Sequence, residues 1–204
     1  MIYSYDKVYL RIAQRVLGEM LNYAVYDCGY ELNEYYRLFT ESSYSERFSK
    51  GDSFVIAGMS GAELAIRVMD VPDDEIVAPG YYFEKSPEYW TGWLLAYYQW
   101  MSGKTFAVIQ KEVPVEKIRD LYHPYHEMDI TQGVQKLREI AQQNRVESYL
   151  KLLRKRARLS QSQLAEETGI PVKTIQQYEQ RRKDINKAQA EYVICLLYTS
   201  DAAD

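Results

Sequence analysis

The chain has 204 residues, 47 % of them hydrophobic, and a formal net charge of −4. That is enough apolar material for one large or two small domains. Cys28 and Cys195 stand far apart and carry no metal or redox spacing, which suits a reducing compartment. The N-terminus, MIYSYDKVYLRIAQ, lacks the apolar run of a signal peptide, and no stretch reaches the roughly 18 uninterrupted apolar residues of a membrane span. A cytoplasmic protein is expected.

The charge is unevenly spread. Residues Arg145 to Lys183 hold ten Lys/Arg against four Asp/Glu, a surplus of six, so the remainder carries −10. A basic module on an acidic body is expected where one end meets phosphates and the other does not.

The acidic body, residues 1–144, reads as helical. From Tyr5 to Asp27 the apolar residues Val8, Ile12, Val16, Leu17, Met20, Leu21, Ala24 and Val25 recur at helical spacing, with Ser4 or Asp6 as N-cap. Cys28-Gly29 ends that helix. Leu32 to Glu41 predicts a second. Ser42 to Ser53 predicts a loop with one turn of helix around Tyr44 to Phe48. Ser60-Gly61-Ala62-Glu63 is a capping box opening a helix to about Met69. Asp70 to Gly80, with Pro72, Pro79 and four acids, predicts a linker or exposed loop.

Ser86-Pro87-Glu88 opens the strongest body helix, with Ser at N-cap and Pro at N1. Trp90, Trp93, Tyr97 and Trp100 form one aromatic stripe on it, a core stripe or a groove for a partner. Gly103 ends it. Thr105 to Ile109 fits a short strand or a helix continuation. Pro114 to Tyr122 predicts a short helix, and Asp129/Thr131 to Gln143 another. His123 and His126 form an HxxH pair, but zinc needs two further ligands; no other His remains, and Cys28 and Cys195 lie far from the pair in sequence. No metal or cofactor site is expected. Paired carboxylates, a nucleophile elbow and a phosphate loop are also missing from the sequence, so an enzyme is not expected.

Glu147 to Ala157 predicts the next helix, with Tyr149, Leu150, Leu152 and Leu153 apolar and Arg154, Lys155, Arg156 and Arg158 closing it. Those cations suit a helix C-terminus and equally suit DNA phosphates. Gln161 to Thr168 then predicts a short helix, Gly169 a tight turn, and Val172 to Gln180 a second helix with Pro171 at its first position. Counting Gln161 as one, Leu164, Ala165, Gly169, Ile170, Ile175 and Tyr178 fall at four, five, nine, ten, fifteen and eighteen. A small residue at five lets two helices cross closely, and the apolar positions lock the crossing. An ordinary helical hairpin is the plainer alternative.

On those six positions the stretch resembles the Cro/cI-like (XRE) repressor family. The likeness covers roughly Arg145 to Leu196. It implies a lambda-repressor-like helix-turn-helix domain over 145–197, which with the helical pattern of residues 1–144 makes an all-α chain with a helical N-terminal domain. It also implies that helix 172–180 lies in the major groove of double-stranded operator DNA, with Val172, Lys173, Thr174 and Gln177 facing base edges. Gln161 resembles the family's phosphate-clamping glutamine, and Arg181, Arg182 and Lys183 follow where family members meet the backbone. A bare solvated helix face is the plainer alternative for Lys173, Thr174 and Gln177.

Family domains have five helices. Here Ile185 to about Leu197 supplies a fourth, and the last residues, 198–204, read as an irregular and non-native tail, which leaves the core incomplete and homodimer formation in doubt. Three functions follow in order: a transcriptional regulator, a repressor in sign; an antitoxin-like protein whose body masks a toxin while the motif autoregulates the operon; and an enzyme fused to a DNA-binding module. A partner groove on the body would favour the second.

Overall fold

Asp6 sets the start of the fold. Its carboxylate accepts from the Val8 N–H at 2.9 Å and tightens Lys7–Tyr9 into a 3-10 turn. In this computed structural model, α1 follows over Leu10–Asn22 and passes into a π-turn, Tyr23–Asp27. Where the periodicity predicts one uniform helix, three geometries run in series. The buried face is Leu10, Ala13, Val16, Leu17, Met20, Leu21 and Ala24, whereas Val8 is 71 % exposed and lies off it. The structure describes residues 3–72, 76–80, 85–180, 183 and 185–200, with the side chains of 146–148 and 198–200 outside the description. Every regular element among the described residues is helical, and the chain is all-α.

The chain divides into two compact units, Met1–Leu137 and Arg138–Asp204. In the first, α2 (Leu32–Glu41) buries Leu32, Tyr35, Tyr36 and Phe39. The predicted loop at 42–53 is instead largely helical, holding α3 (Ser43–Ser49) and the start of α4 (Ser53–Ala57). Each has a polar cap: Ser42 Oγ accepts from Ser45 N–H, and Asp52 from Phe54 N–H. Short side-chain caps thus convert a polar stretch into two brief helices that bury Phe48, Val55 and Ile56. The Ser60–Glu63 capping box forms with both bonds in place and opens α5 (Gly61–Met69). Residues 73–75 and 81–84 lie outside the described residues, so the linker expected at 70–80 is seen only in part.

Ser86 and Pro87 open α6 (Pro87–Ser102) as N-cap and N1. Gly92 lets α6 meet α1 backbone to backbone: a Cβ there would stand 2.3 Å from the Leu17 carbonyl oxygen. The aromatic stripe proves to be neither core nor open groove. Trp90, Trp93 and Tyr97 are half-buried and Trp100 is buried. Tyr3 stacks on Trp100 at 4.0 Å, Tyr122 meets Trp90 edge-on, and the Lys85 ammonium lies 5.1 Å from the Trp93 ring centre. The fully buried face of α6 is instead Thr91, Leu94, Leu95, Tyr98 and Gln99.

Thr105 settles the strand-or-helix alternative. Its side chain accepts from Val108 N–H and caps α7 (Phe106–Glu112). The single helix predicted at 114–122 is two short ones, α8 (Val115–Arg119) and α9 (Tyr122–Tyr125). His126 stacks on Tyr122 at 4.1 Å, with Nδ1 2.8 Å from the Tyr122 carbonyl oxygen. Among the described residues no three His, Cys, Asp or Glu are grouped to hold a metal ion.

The largest difference from expectation is α10, one continuous helix over Ile130–Arg156 where two are predicted. No proline interrupts it and its one glycine, Gly133, lies in the first turn, so nothing local stops propagation once it has nucleated. Its first turns bury Val134 and Leu137 in the first unit, and its last turns bury Leu150 and Leu153 in the second. α11 (Gln161–Thr168), α12 (Val172–Glu179) and α13 (Lys187–Ser200) complete the second unit. The irregular tail expected from residue 198 is corrected: the backbone is helical through Ser200, and 201–204 lie outside the described residues. No helix among the described residues is long and apolar enough to cross a membrane.

Candidate nucleic-acid interface

The interface is built up from Ser160. Its Oγ accepts from the Gln163 N–H at 3.1 Å, and Gln163 Oε1 accepts from the Ser160 N–H at 2.8 Å. This capping box starts α11 and satisfies two first-turn donors. The intervening N–H groups of Gln161 and Ser162 have no hydrogen-bond partner among the described residues, as the first turn of any helix requires unless an outside acceptor arrives.

α11 ends at Gly169, which takes φ +69° and donates its N–H to the Ala165 carbonyl at 2.9 Å. A Cβ there would meet nothing within 4 Å, so backbone conformation alone demands glycine. Thr168 Oγ1 donates to the Leu164 carbonyl and accepts from the Ile170 N–H, fastening the turn. Pro171 is the N-cap of α12 and not its first helical residue. Its ψ of 138° keeps it outside the helix, while its carbonyl accepts from Thr174 and Ile175. α12 then ends at Glu179, one residue before the expected Gln180.

Leu164, Ile170, Ile175 and Tyr178 are buried together with Leu150, Leu153, Ile185 and Val193, and Ala165 packs half-buried at the edge of this cluster. Tyr178 Oη donates to Gln189 Oε1 at 3.1 Å and so ties α12 to α13. With one side of α12 held inward, its other side is presented. Lys173 is exposed, and Val172, Thr174 and Gln177 are half-buried. Lys183 is exposed, while Arg181 and Arg182 lie outside the described residues.

Beneath the two motif helices lies an ionic knot that was not foreseen as part of the site. Arg154 donates from Nε to Glu179 Oε1 at 2.6 Å and from Nη2 to Oε2 at 2.9 Å. Its Nη1 donates to the Leu159 carbonyl at 2.7 Å. Gln161 Nε2 donates to Glu179 Oε2 at 2.8 Å. The Arg154 and Glu179 side chains are only 11 % and 5 % exposed. Burial pushes the Glu179 carboxyl up, but the hydrogen bonds from Arg154 and Gln161 outweigh it and hold the group below the ordinary carboxylate range. The Glu179 hydrogen bonds raise the Arg154 guanidinium in turn.

The even choice that the sequence leaves for Arg154, helix end or phosphate contact, is thus resolved toward structure. Its guanidinium is spent inside the unit. Lys155 and Arg158 remain exposed. The only sequence signal for the knot is an acid on the second motif helix of an otherwise basic segment, and its partner lies 25 residues earlier.

Two short helices joined by a left-handed glycine turn, with one face of the second held in a shared core and the other presented, define a helix-turn-helix. Comparison with protein families agrees: a model of the helix-turn-helix domain family matches residues 148–202. The C-terminal part of the chain thus has the fold of a helix-turn-helix domain and is similar to that family over these residues. No curated protein and no solved structure matches the chain.

Proposed function

We propose that this protein is a sequence-specific transcriptional regulator, a cytoplasmic repressor of the Cro/cI-like (XRE) type, which occupies double-stranded operator DNA. α12 enters the major groove. Lys173 donates to guanine O6 and N7, Gln177 pairs with adenine N6 and N7, and Val172 and Thr174 touch thymine methyls. Gln161 and Lys183 hold the sugar-phosphate backbone, with Arg181 and Arg182 beside them in sequence. No chemistry, metal or cofactor is required: repression follows from occupancy, by a dimer on a two-fold site. The observation that carries the reading is the division of α12 between a buried side, Ile175 and Tyr178, and a presented side, Val172, Lys173, Thr174 and Gln177. A footprint on the region upstream of the gene tests it. Protection of one discrete two-fold site supports the reading, and uniform or absent protection defeats it.

The antitoxin-like alternative called for a Trp/Tyr stripe presented to a partner. Trp90, Trp93 and Tyr97 are half-covered by their own neighbours and Trp100 is buried, which lends that alternative no support.

A further inference from the structure

We infer that Glu179 is a positioning residue for DNA binding, acting through Gln161, and that Arg154 is present to neutralise it. The inference rests on the reading above, in which Gln161 meets a backbone phosphate.

The argument starts from donor counts. A phosphate wants N–H donors. The capping box uses the N–H groups of Ser160 and Gln163, so the backbone donors left at the start of α11 are those of Gln161 and Ser162. A third donor is available from the Gln161 amide, but only if its nitrogen, and not its oxygen, is held on the correct side. A free glutamine side chain samples both orientations and many rotamers. Here it is held. Glu179 Oε2 is a carboxylate oxygen that can only accept, and at 2.8 Å it fixes Nε2 as the atom facing it. One N–H of that nitrogen remains for a second acceptor. The amide is oriented before DNA arrives, so less side-chain entropy is lost on binding.

A bare carboxylate next to a phosphate site would repel DNA. Arg154 removes that objection. Its two-pronged bond to Glu179 leaves the pair neutral, and its third bond, to the Leu159 carbonyl, anchors the pair to the turn just before Ser160. Glu179 is the last residue of α12. The same carboxylate therefore connects the base-facing helix to the phosphate-facing end of α11, and fixes the register between them.

The test is a double-mutant cycle on DNA affinity, by anisotropy titration of the full chain on a duplex from the gene's own upstream region. Arg154→Met/Glu179→Met removes both charges together, a change that folded proteins tolerate far better than loss of one partner; circular dichroism confirms the fold. Affinity is expected to fall about tenfold, as for the loss of one hydrogen bond to a charged group. Gln161→Ala alone is expected to cost the same factor. In the Met/Met background Gln161→Ala should cost nothing further, because the amide is already unheld. Cognate-to-scrambled preference should be unchanged throughout, since phosphates carry no sequence. A purely structural knot predicts otherwise: a folded Met/Met variant that binds like the parent, or Gln161→Ala costs equal in both backgrounds. Either overturns the inference. If Met/Met fails to fold, Arg154→Leu/Glu179→Leu, which also removes both charges together, replaces it in the cycle with the same expectations of sign and coupling. If Gln161→Ala leaves the parent's affinity untouched, the phosphate assignment itself is wrong and the inference falls with it.

Discussion

Arg154 and Glu179 stand 25 residues apart in sequence and are joined by two hydrogen bonds of 2.6 and 2.9 Å. That pair links the end of α10 to the end of α12 and closes the base of the helix-turn-helix. Breaking one side strands a nearly buried charge. Glu179→Ala should therefore destabilise the C-terminal unit by about 3 kcal/mol, whereas Arg154→Met/Glu179→Met should cost far less. Native-state hydrogen exchange at the amides of α11 and α12 separates the two outcomes without requiring the whole chain to unfold in one step.

The same pair gives the unit a pH dependence of fixed sign. The Glu179 carboxyl titrates lower in the folded unit than in the unfolded chain. Its contribution is fully present above the ordinary glutamate value of about 4.3, and is lost as pH falls through the folded value. The stability gap between the parent and Glu179→Gln should be wide at pH 7 and narrow progressively below about pH 4.3. A gap that stays constant on acidification would contradict the pairing.

Gly92 marks a close backbone-to-backbone contact in the N-terminal unit. A Cβ at Gly92 would lie 2.3 Å from the Leu17 oxygen and 2.8 Å from the Gly18 Cα, all of it backbone that cannot step aside cheaply. Gly92→Ala should lower the stability of that unit by about 2–3 kcal/mol. Thermal denaturation of the variant checks this, and an unchanged melting temperature would place α1 and α6 further apart than described.

Leu164 is 3 % exposed in the core shared by α11 and α12. Leu164→Ala should cost about 2–5 kcal/mol by leaving a void beneath the motif. DNA affinity should fall with it at temperatures where the unit begins to open, and recover on cooling. Loss of affinity without loss of stability would mean that Leu164 is not serving as core.

The presented face of α12 and the basic residues beyond it should respond differently to truncation. Gln177→Ala or Lys173→Ala should cost roughly 1–3 kcal/mol on the preferred duplex and relax one base position. Lys183→Ala should weaken all duplexes alike and reduce the salt dependence by about one counterion. Titrations on cognate and scrambled duplexes at several salt concentrations tell these patterns apart.

Much of the helix-turn-helix is legible in sequence because two short helices around one glycine leave little freedom. Leu164, Gly169, Ile170, Ile175 and Tyr178 must fall at fixed intervals if the helices are to share a core. Local capping chemistry is legible for the same reason, as at Ser60 with Glu63 and Ser86 with Pro87, where the interacting groups are at most three residues apart. What is hidden depends on distance or on the absence of a signal. Arg154 and Glu179 pair across the whole motif, and no local pattern announces it. Residues 143–145 are polar and fit a loop as well as a helix, so the continuity of α10 follows from its neighbours and not from its own residues. The 3-10 start and π end of the first helical run depend on which backbone donor a side chain captures, and periodicity does not register that. The stripe from Trp90 to Trp100 is half-covered because Tyr3, Tyr122 and Lys85 reach it from distant places in the chain.

The central claim is selective recognition of DNA by α12. Anisotropy titration of a labelled duplex from the gene's own upstream region, against a scrambled duplex at physiological salt, tests it most directly. The account predicts that the native duplex binds tighter by a factor of roughly 10³ or more. Equal, weak binding to both duplexes would contradict it.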